Sequence, residues 1–423
     1  MTFSHFKLDD RLQRAVHAAG FVTPTPIQHA TIPTALQGKD LIGTAQTGTG
    51  KTAAFVLPIL QRLLQGTPGR TRALIITPTR ELAEQIHGTV VKLAQGTRIR
   101  SATVYGGVGM QPQERALRDG VEIIVACPGR LLDHIDRGNA RLKDLEVLVL
   151  DEADRMLDMG FLPSIRRILS HLPVQRQTML FSATFAPELN QLAAQTLRSP
   201  LRIEVGTSAP ARTVTHALYP VASHLKTSLL LALLRATETD SVLVFTRTKH
   251  RANRIAEQLS RAGFRTAALH SNRSQNQRQA ALDGFRSGKV QVLVATDIAA
   301  RGIDVQTITH VINYDIPDVA DTYIHRIGRT GRAEREGDAL TLVTSEDQVT
   351  IRDIERALGR PIERRTLPGF DYNVPPTVQA GAEFHRPPRP QQHHRAAPRP
   401  GGGHATPAPA AARRGPRRPV ADR

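Results

Sequence analysis

Residues 41–52 read Leu-Ile-Gly-Thr-Ala-Gln-Thr-Gly-Thr-Gly-Lys-Thr, an apolar run leading through glycines into a helical pattern. Gly48 and Gly50 let the backbone wrap a phosphate, with N–H groups and a helix N-terminus pointing inward. Lys51 would then reach the β- and γ-phosphates, and the Thr52 hydroxyl would ligate a magnesium ion. The strict pattern of such a cradle begins with Gly where this chain has Ala45, so the loop comprises Ala45, Gln46, Thr47, Gly48, Thr49, Gly50, Lys51 and Thr52. A chance turn before a helix competes with that reading until a second cluster is considered. The apolar run 147–150 ends in Asp151-Glu152-Ala153-Asp154. In parallel α/β sheets ligands collect beyond the carboxyl ends of the strands. Asp151 would therefore face the cradle and hold magnesium through water. Glu152 would orient and deprotonate an attacking water, because phosphoryl transfer to water needs a base in line with the leaving group. Acids are also favoured at a solvated helix start, but cradle and carboxylates together point to nucleoside triphosphate hydrolysis.

These groups need strands to carry them. Short apolar runs fall at 41–45, 73–77, 102–105, 121–126, 147–150, 178–181 and 202–205. Helical patterns such as 52–64, 79–93 and 161–172 lie between them. Continuous rather than alternating apolar strands are buried on both faces, which predicts a parallel sheet flanked by helices. A polar break at 206–212 precedes a second series at 242–245, 266–269, 290–296, 310–314 and 339–343. The fold class is therefore α/β, with two tandem parallel-sheet domains. The expected boundaries are a first domain over 1–207, a linker over 208–215, a second domain over 216–368 and a tail over 369–423.

The 423 residues are too many for one ordinary core and suit two. Lys+Arg 56 against Asp+Glu 38 leaves +18, an excess that points to a polyanionic partner. Only 8 of those bases are Lys and 48 are Arg, whose planar fork can bond two phosphate oxygens at once. Residues 371–423 hold 11 Pro, 10 Ala and 9 Arg against 3 acids, too little apolar surface to offset the entropy of ordering, so a disordered tail is expected. The longest aliphatic stretch, 229–234, is far short of the ~20 residues that span a bilayer. The first ten residues contain no basic-then-apolar signal, and the single Cys127 cannot build a disulfide or a thiolate cluster. A cytoplasmic protein without membrane partners is expected.

At this point the sequence resembles the DEAD-box RNA helicases. Asp151-Glu152-Ala153-Asp154 spells the family name, and the other motifs follow in order. Residues 21–28, Phe-Val-Thr-Pro-Thr-Pro-Ile-Gln, match the Q motif. Pro78-Thr79-Arg80-Glu81-Leu82, Gly106-Gly107 and Pro128-Gly129-Arg130 match RNA-contacting motifs, and Ser182-Ala183-Thr184 the coupling motif. The second half supplies residues 244–248, Gln275 with Arg278, Ala295-Thr296-Asp297, residues 301–304 and the stretch 325–332, His-Arg-Ile-Gly-Arg-Thr-Gly-Arg. The resemblance covers about 3–368, and the stretches 154–161 and 245–250 are most similar to the bacterial RhlE type.

The resemblance implies two RecA-like domains, ATP with Mg²⁺ as fuel, and RNA as partner. Gln28 would read the adenine edge with an amide that donates and accepts together, and Phe21 would stack on the base. Phe6 is better explained as a core plug. Asp304 would bond the ribose. Arg329 and Arg332 resemble arginine fingers that reach the transferring phosphoryl only when the domains close. Asp154, Ser182, Thr184 and His325 resemble the relay that couples hydrolysis to closure. Arg80, Gly107, Arg130, Arg278 and Thr296 carry over as RNA-backbone contacts, with RNA lying across both domains on the face opposite the flanking helices. Contacts of that kind position without reading bases, so sequence specificity should be low. Partners in ribosomal particles or the RNA-degradation machinery are implied in the same way.

Two positions depart from the family pattern: Cys127 replaces the usual Thr before Pro-Gly-Arg, and Ser271 follows His270 where Gly is common. A thiol is a weaker donor than a hydroxyl, so one phosphate contact softens while the ATP site is untouched. If buried, Cys127 is a small hydrophobe; if exposed, it is open to oxidation. Two other functions remain compatible with the motifs, a slowly cycling RNA clamp and a DNA-directed motor.

Overall fold

The computed structural model describes residues 2–45, 48–205, 214–237, 240–300, 308–330 and 337–376. Gln46, Thr47, Asp304, Arg332, most of the expected linker and residues 377–423 lie outside them. Residues Met1–Val374 form one compact unit. It contains two seven-stranded sheets.

The first sheet comprises β1 (Leu41–Thr44), β2 (Ala73–Ile76), β3 (Ser101–Val104), β4 (Ile123–Ala126), β5 (Val147–Leu150), β6 (Gln177–Ser182) and β7 (Leu201–Glu204), in the order β3-β4-β2-β5-β6-β1-β7. All its pairings are parallel and in matched register, Ile76 beside Leu150 and Leu150 beside Leu180 at the carboxyl ends. Alternate strand residues enter different cores. Ala73, Ile75, Val147 and Val149 pack on one face, while Leu74, Ile76, Leu148 and Leu150 pack on the other. Each such fully buried aliphatic side chain contributes roughly 1.5–3 kcal/mol of transfer free energy. Phe6 is buried in the first of these cores, in edge-on contact with Phe3.

The second sheet comprises β8 (Val214–Pro220), β9 (Val242–Phe245), β10 (Thr266–Leu269), β11 (Val292–Ala295), β12 (His310–Asn313), β13 (Gly337–Val343) and β14 (Glu363–Arg364), in the order β10-β11-β9-β12-β13-β8-β14. Its pairings are parallel too. Adding seven to each strand number of the first order reproduces the second.

Three expectations are corrected here. The linker expected to run to residue 215 already belongs to β8 at Val214, which pairs with Gly337 of β13. The tail does not begin at 369: Phe370 and Tyr372 pack on the second core, and the Tyr372 hydroxyl accepts from the Leu367 N–H at 2.8 Å. In the first domain core side chains fill both faces of the sheet, so the RNA contacts expected opposite the flanking helices cannot lie on a sheet face there.

Candidate nucleotide and RNA site

The phosphate loop leaves β1 and opens the helix Lys51–Leu63, with Gly48 at φ 85° and Gly50 at φ 90°. Those values are open to glycine and strained for other residues. At Gly50 there is a second reason, because a Cβ would lie 2.5 Å from the Gln28 amide nitrogen. Gln28 is buried; its Nε2 donates to the Gly50 carbonyl at 3.1 Å and its Oε1 accepts from the Thr25 N–H at 2.9 Å. One amide thus ties the Q-motif helix Pro26–Leu36 to the phosphate loop. A second hydrogen and a second lone pair remain on it for a ligand. Phe21 is half-buried, edge-on to Phe3. Lys51 is buried and donates to the Ala45 carbonyl at 2.7 Å, while Thr52 is half-buried in the same first turn.

β5 ends against this loop. Asp151 is buried, and its Oδ1 accepts from the Glu152 N–H at 3.0 Å. Burial pushes its carboxyl up to about 7, with Lys51 opposing the rise and Glu152 adding to it. Glu152 sits in the left-handed region at φ 53°, a conformation that costs a non-glycine residue on the order of 1–3 kcal/mol. Its carboxylate accepts from Arg155 at 2.9 Å, with both side chains buried.

Asp154, one turn on, is the hub. Its Oδ2 accepts from the Ala183 and Thr184 N–H groups at 3.0 Å each and from the Thr184 hydroxyl at 3.2 Å. Ser182 donates to the Thr184 carbonyl at 2.6 Å. Burial alone would raise the Asp154 carboxyl, but Lys51, Arg155 and the Thr184 N–H hold it below its usual value. The coupling residues expected from sequence are therefore in contact. His325 joins them from the second domain, across a cavity of about 70 Å³ lined by Asp154, Arg155, Thr184, Asp297, Arg326 and Arg329 among others. Burial, reinforced by Arg155 and opposed by Asp154, pushes His325 down to about 4, so its imidazole is neutral at pH 7.

The other expected contacts gather at the carboxyl ends of β2, β3 and β4. Arg80 opens the helix Arg80–Leu93 and Arg130 lies in the helix Pro128–Asp136. Gly107, at φ 81°, has no room for a side chain because a Cβ would collide with the Arg80 guanidinium. Arg130 donates to the Val108 carbonyl at 3.2 Å. Cys127 caps the Pro128–Asp136 helix without a side-chain hydrogen bond and is buried, which pushes its thiol up to about 12. That is the inert, packed outcome. Thr296 follows β11 and is half-buried. Arg278 is buried and reaches across to the first domain, 2.7 Å from Glu81.

Sequence reasoning did not single out four residues in this network. Glu81 sits inside the Pro78–Leu82 motif but was passed over beside Arg80. Arg155 directly follows the acidic motif. Asp297 and Arg326 form a two-pronged ion pair at 2.6 and 2.7 Å, and Arg326 also donates to the Asp315 carbonyl at 2.6 Å. Both lie within quoted motifs, and only the fold reveals that they pair.

Comparison with known proteins bears on the same residues. A family model described as DEAD/DEAH box helicase matches residues 25–192, and one described as helicase conserved C-terminal domain matches residues 225–334. The DEAD-box ATP-dependent RNA helicase CshA of Geobacillus kaustophilus is 41% identical over 371 residues, which cover 88% of this chain and 79% of that protein. The DEAD-box ATP-dependent RNA helicase 28 of Oryza sativa is 45% identical over 375 residues, 86% of this chain but 46% of its own length. Among solved structures, S. cerevisiae Dbp5 bound to RNA and ADP BeF3 is 31% identical with a TM-score of 0.78, covering 86% of this chain and 95% of that one. A DEAD box protein from Methanococcus jannaschii, 36% identical, covers 86% and 99% but scores 0.52. The cavity shared by Asp154 and His325, the ion pair between Glu81 and Arg278, and the likeness to an RNA-bound molecule describe one arrangement, and the chain belongs to the DEAD-box ATP-dependent RNA helicase family.

Proposed function

We propose that this chain hydrolyses ATP when RNA draws its two domains together, and that closure locally unwinds or remodels RNA duplexes with little regard to sequence. The observation that carries this reading is the interdomain cavity, where the Asp154 hub faces His325 and Arg329. Glu152 is the base that takes the proton of the attacking water. Lys51 and the N–H groups of the phosphate loop hold the β- and γ-phosphates. Arg329 and Arg332 stabilise charge on the transferring phosphoryl, and they can do so only in the closed arrangement. Gln28 and Phe21 select adenine, and Asp304 bonds the ribose.

Magnesium fits the residues present. Asp151 is a buried carboxylate whose desolvation Lys51 offsets only in part, and Thr52 adds a hydroxyl. Hard oxygen donors of this kind suit Mg²⁺, which keeps several of its waters. When bound, the ion neutralises charge on the β- and γ-oxygens. Asp151 and Thr52 would hold it, the former through water.

Arg80, Gly107, Arg130, Arg278 and Thr296 bind the RNA backbone. The stretches 154–161 and 245–250 favour the RhlE-like subgroup, and structured RNA in ribosomal particles or the RNA-degradation machinery is the substrate class this implies. With +18 of net charge such a protein would meet that RNA in the cytoplasm. No described helix is long and apolar enough to cross a membrane. The test is steady-state ATP hydrolysis with single-stranded RNA, with DNA and with neither, for wild type and Glu152→Gln. Stimulation by RNA alone, lost in the variant by about 10²-fold or more, is the expected result. Turnover indifferent to RNA would refute the coupling.

A further inference from the structure

Glu152 has an unusual setting for a base. Its backbone is held in the left-handed region, its own N–H is spent on Asp151, and its carboxylate is buried at 4% residual exposure. A buried charged group needs a hydrogen-bonded partner of opposite charge to hold it in place. That partner is Arg155, three residues on, donating at 2.9 Å with 4% of its side chain exposed. Arg155 also lines the interdomain cavity beside Asp154, His325 and Arg329, so one guanidinium touches the base and faces the second domain. Its backbone is fixed as well, the Arg155 N–H donating to Asp154 Oδ1 at 3.0 Å, and Asp154 is held in turn by Ala183 and Thr184.

We propose that Arg155 is a positioning residue for hydrolysis: through its ion pair it keeps the Glu152 carboxylate oriented, and it ties that orientation to the arrival of His325 and Arg329. This rests on the reading of Glu152 as the base. Removing the charge while keeping the length leaves a buried carboxylate without its cation. Such a carboxylate swings away from its position, which slows proton abstraction without altering the contacts that hold ATP or RNA.

The test compares wild type, Arg155→Met, Arg155→Lys, Glu152→Gln and the Glu152→Gln/Arg155→Met double variant in RNA-saturated ATP hydrolysis. Melting and RNA binding with ADP–BeF3 are followed alongside. In Arg155→Met, kcat should fall by about 10²-fold while KM for ATP and RNA affinity stay within about twofold. Lys should restore most of kcat, and in the Gln background the Met substitution should add no further loss. Wild-type kcat in Arg155→Met, with Glu152→Gln inactive, would overturn the positioning role alone. Losses of melting temperature, ATP binding and kcat in parallel, with no rescue by Lys, would overturn it in favour of a folding role. Full turnover by Glu152→Gln would instead overturn the reading of the base.

Discussion

The two domains run the same strand order, yet their equivalent strand ends have different fates. Lys51 opens the helix after β1, and Lys226 opens the helix Lys226–Ala236 after β8. Both lysines are buried, and both donate to a carbonyl, Lys51 to Ala45 and Lys226 to Tyr314 at 3.2 Å. Asp151 follows β5, and Asp315 stands two residues past β12, the strand at the equivalent place. Here the domains part. The first precedes its lysine with a glycine loop and leaves Asp151 desolvated. The second precedes its lysine with the 3₁₀ turn Ser223–Leu225 and satisfies Asp315 internally, through Arg251 at 2.6 Å and the Arg247 N–H at 2.8 Å. An acid already paired with arginine has little to offer a metal. Topology thus supplies the place for a nucleotide, but the electrostatic balance at the strand ends decides whether one binds. The second domain contributes by facing the first with His325 and Arg329.

If that contrast is right, the two lysines differ sharply in what they control. Lys51→Ala should cost about 10²–10³-fold in RNA-stimulated turnover by removing a phosphate donor. Lys226→Ala should leave turnover within about threefold but lower stability by about 1–3 kcal/mol through the orphaned Tyr314 carbonyl. Paired ATPase and melting measurements on both variants decide it, and comparable losses of turnover would erase the distinction.

Next in size is the pH response. In the fold Asp151 keeps its proton up to about 7, whereas an unfolded Asp loses it near 3.8. Between those values the native state binds a proton that the unfolded state does not, so nucleotide-free stability should fall as pH rises from about 4 to 7. Asp151→Asn lacks this titration, so the difference in melting temperature between wild type and variant should shift in that window. A flat difference would mean that the carboxyl is not desolvated as its position implies.

The smallest effect concerns Cys127, which follows β4 where Thr296 follows the equivalent β11. Thr79 and Thr248 cap their helices by accepting from Leu82 and Arg251 at 3.3 and 3.2 Å, while Cys127 makes no such bond. Cys127→Thr should stabilise the protein by ~0.5–1 kcal/mol, read by chemical denaturation. No gain would mean that the buried site has no room for a rotated hydroxyl.

Strands buried on both faces were plain in the sequence: 147–150 and 242–245 coincide with β5 and β9. β8 was hidden because Val-Thr-His-Ala-Leu-Tyr-Pro mixes polar and apolar residues just past a polar break, and its burial comes from pairing with β13. β14 is two exposed charged residues, which no periodicity can announce. At the site, residue types sufficed for Lys51, Asp151 and Glu152, because phosphate chemistry restricts what can stand there. Arg155 and Glu81 were missed for the opposite reason. A charged residue on a helix is usually solvated, whereas Arg155 is buried against Glu152 and Glu81 is buried against Arg278 of the second domain.

The repeated strand order has a further consequence for covalent continuity. Every strand pairing is made within its own half, the first closing with β7 and the second opening with β8. No strand pairing among the described residues therefore depends on the peptide chain between residues 206 and 213. Two separately made polypeptides cut there should each retain a sheet, and what they would lose is proximity. The short connection holds each domain at a millimolar effective concentration of the other. Its contribution to the cycle is statistical: it makes reopening reversible without letting the partner escape.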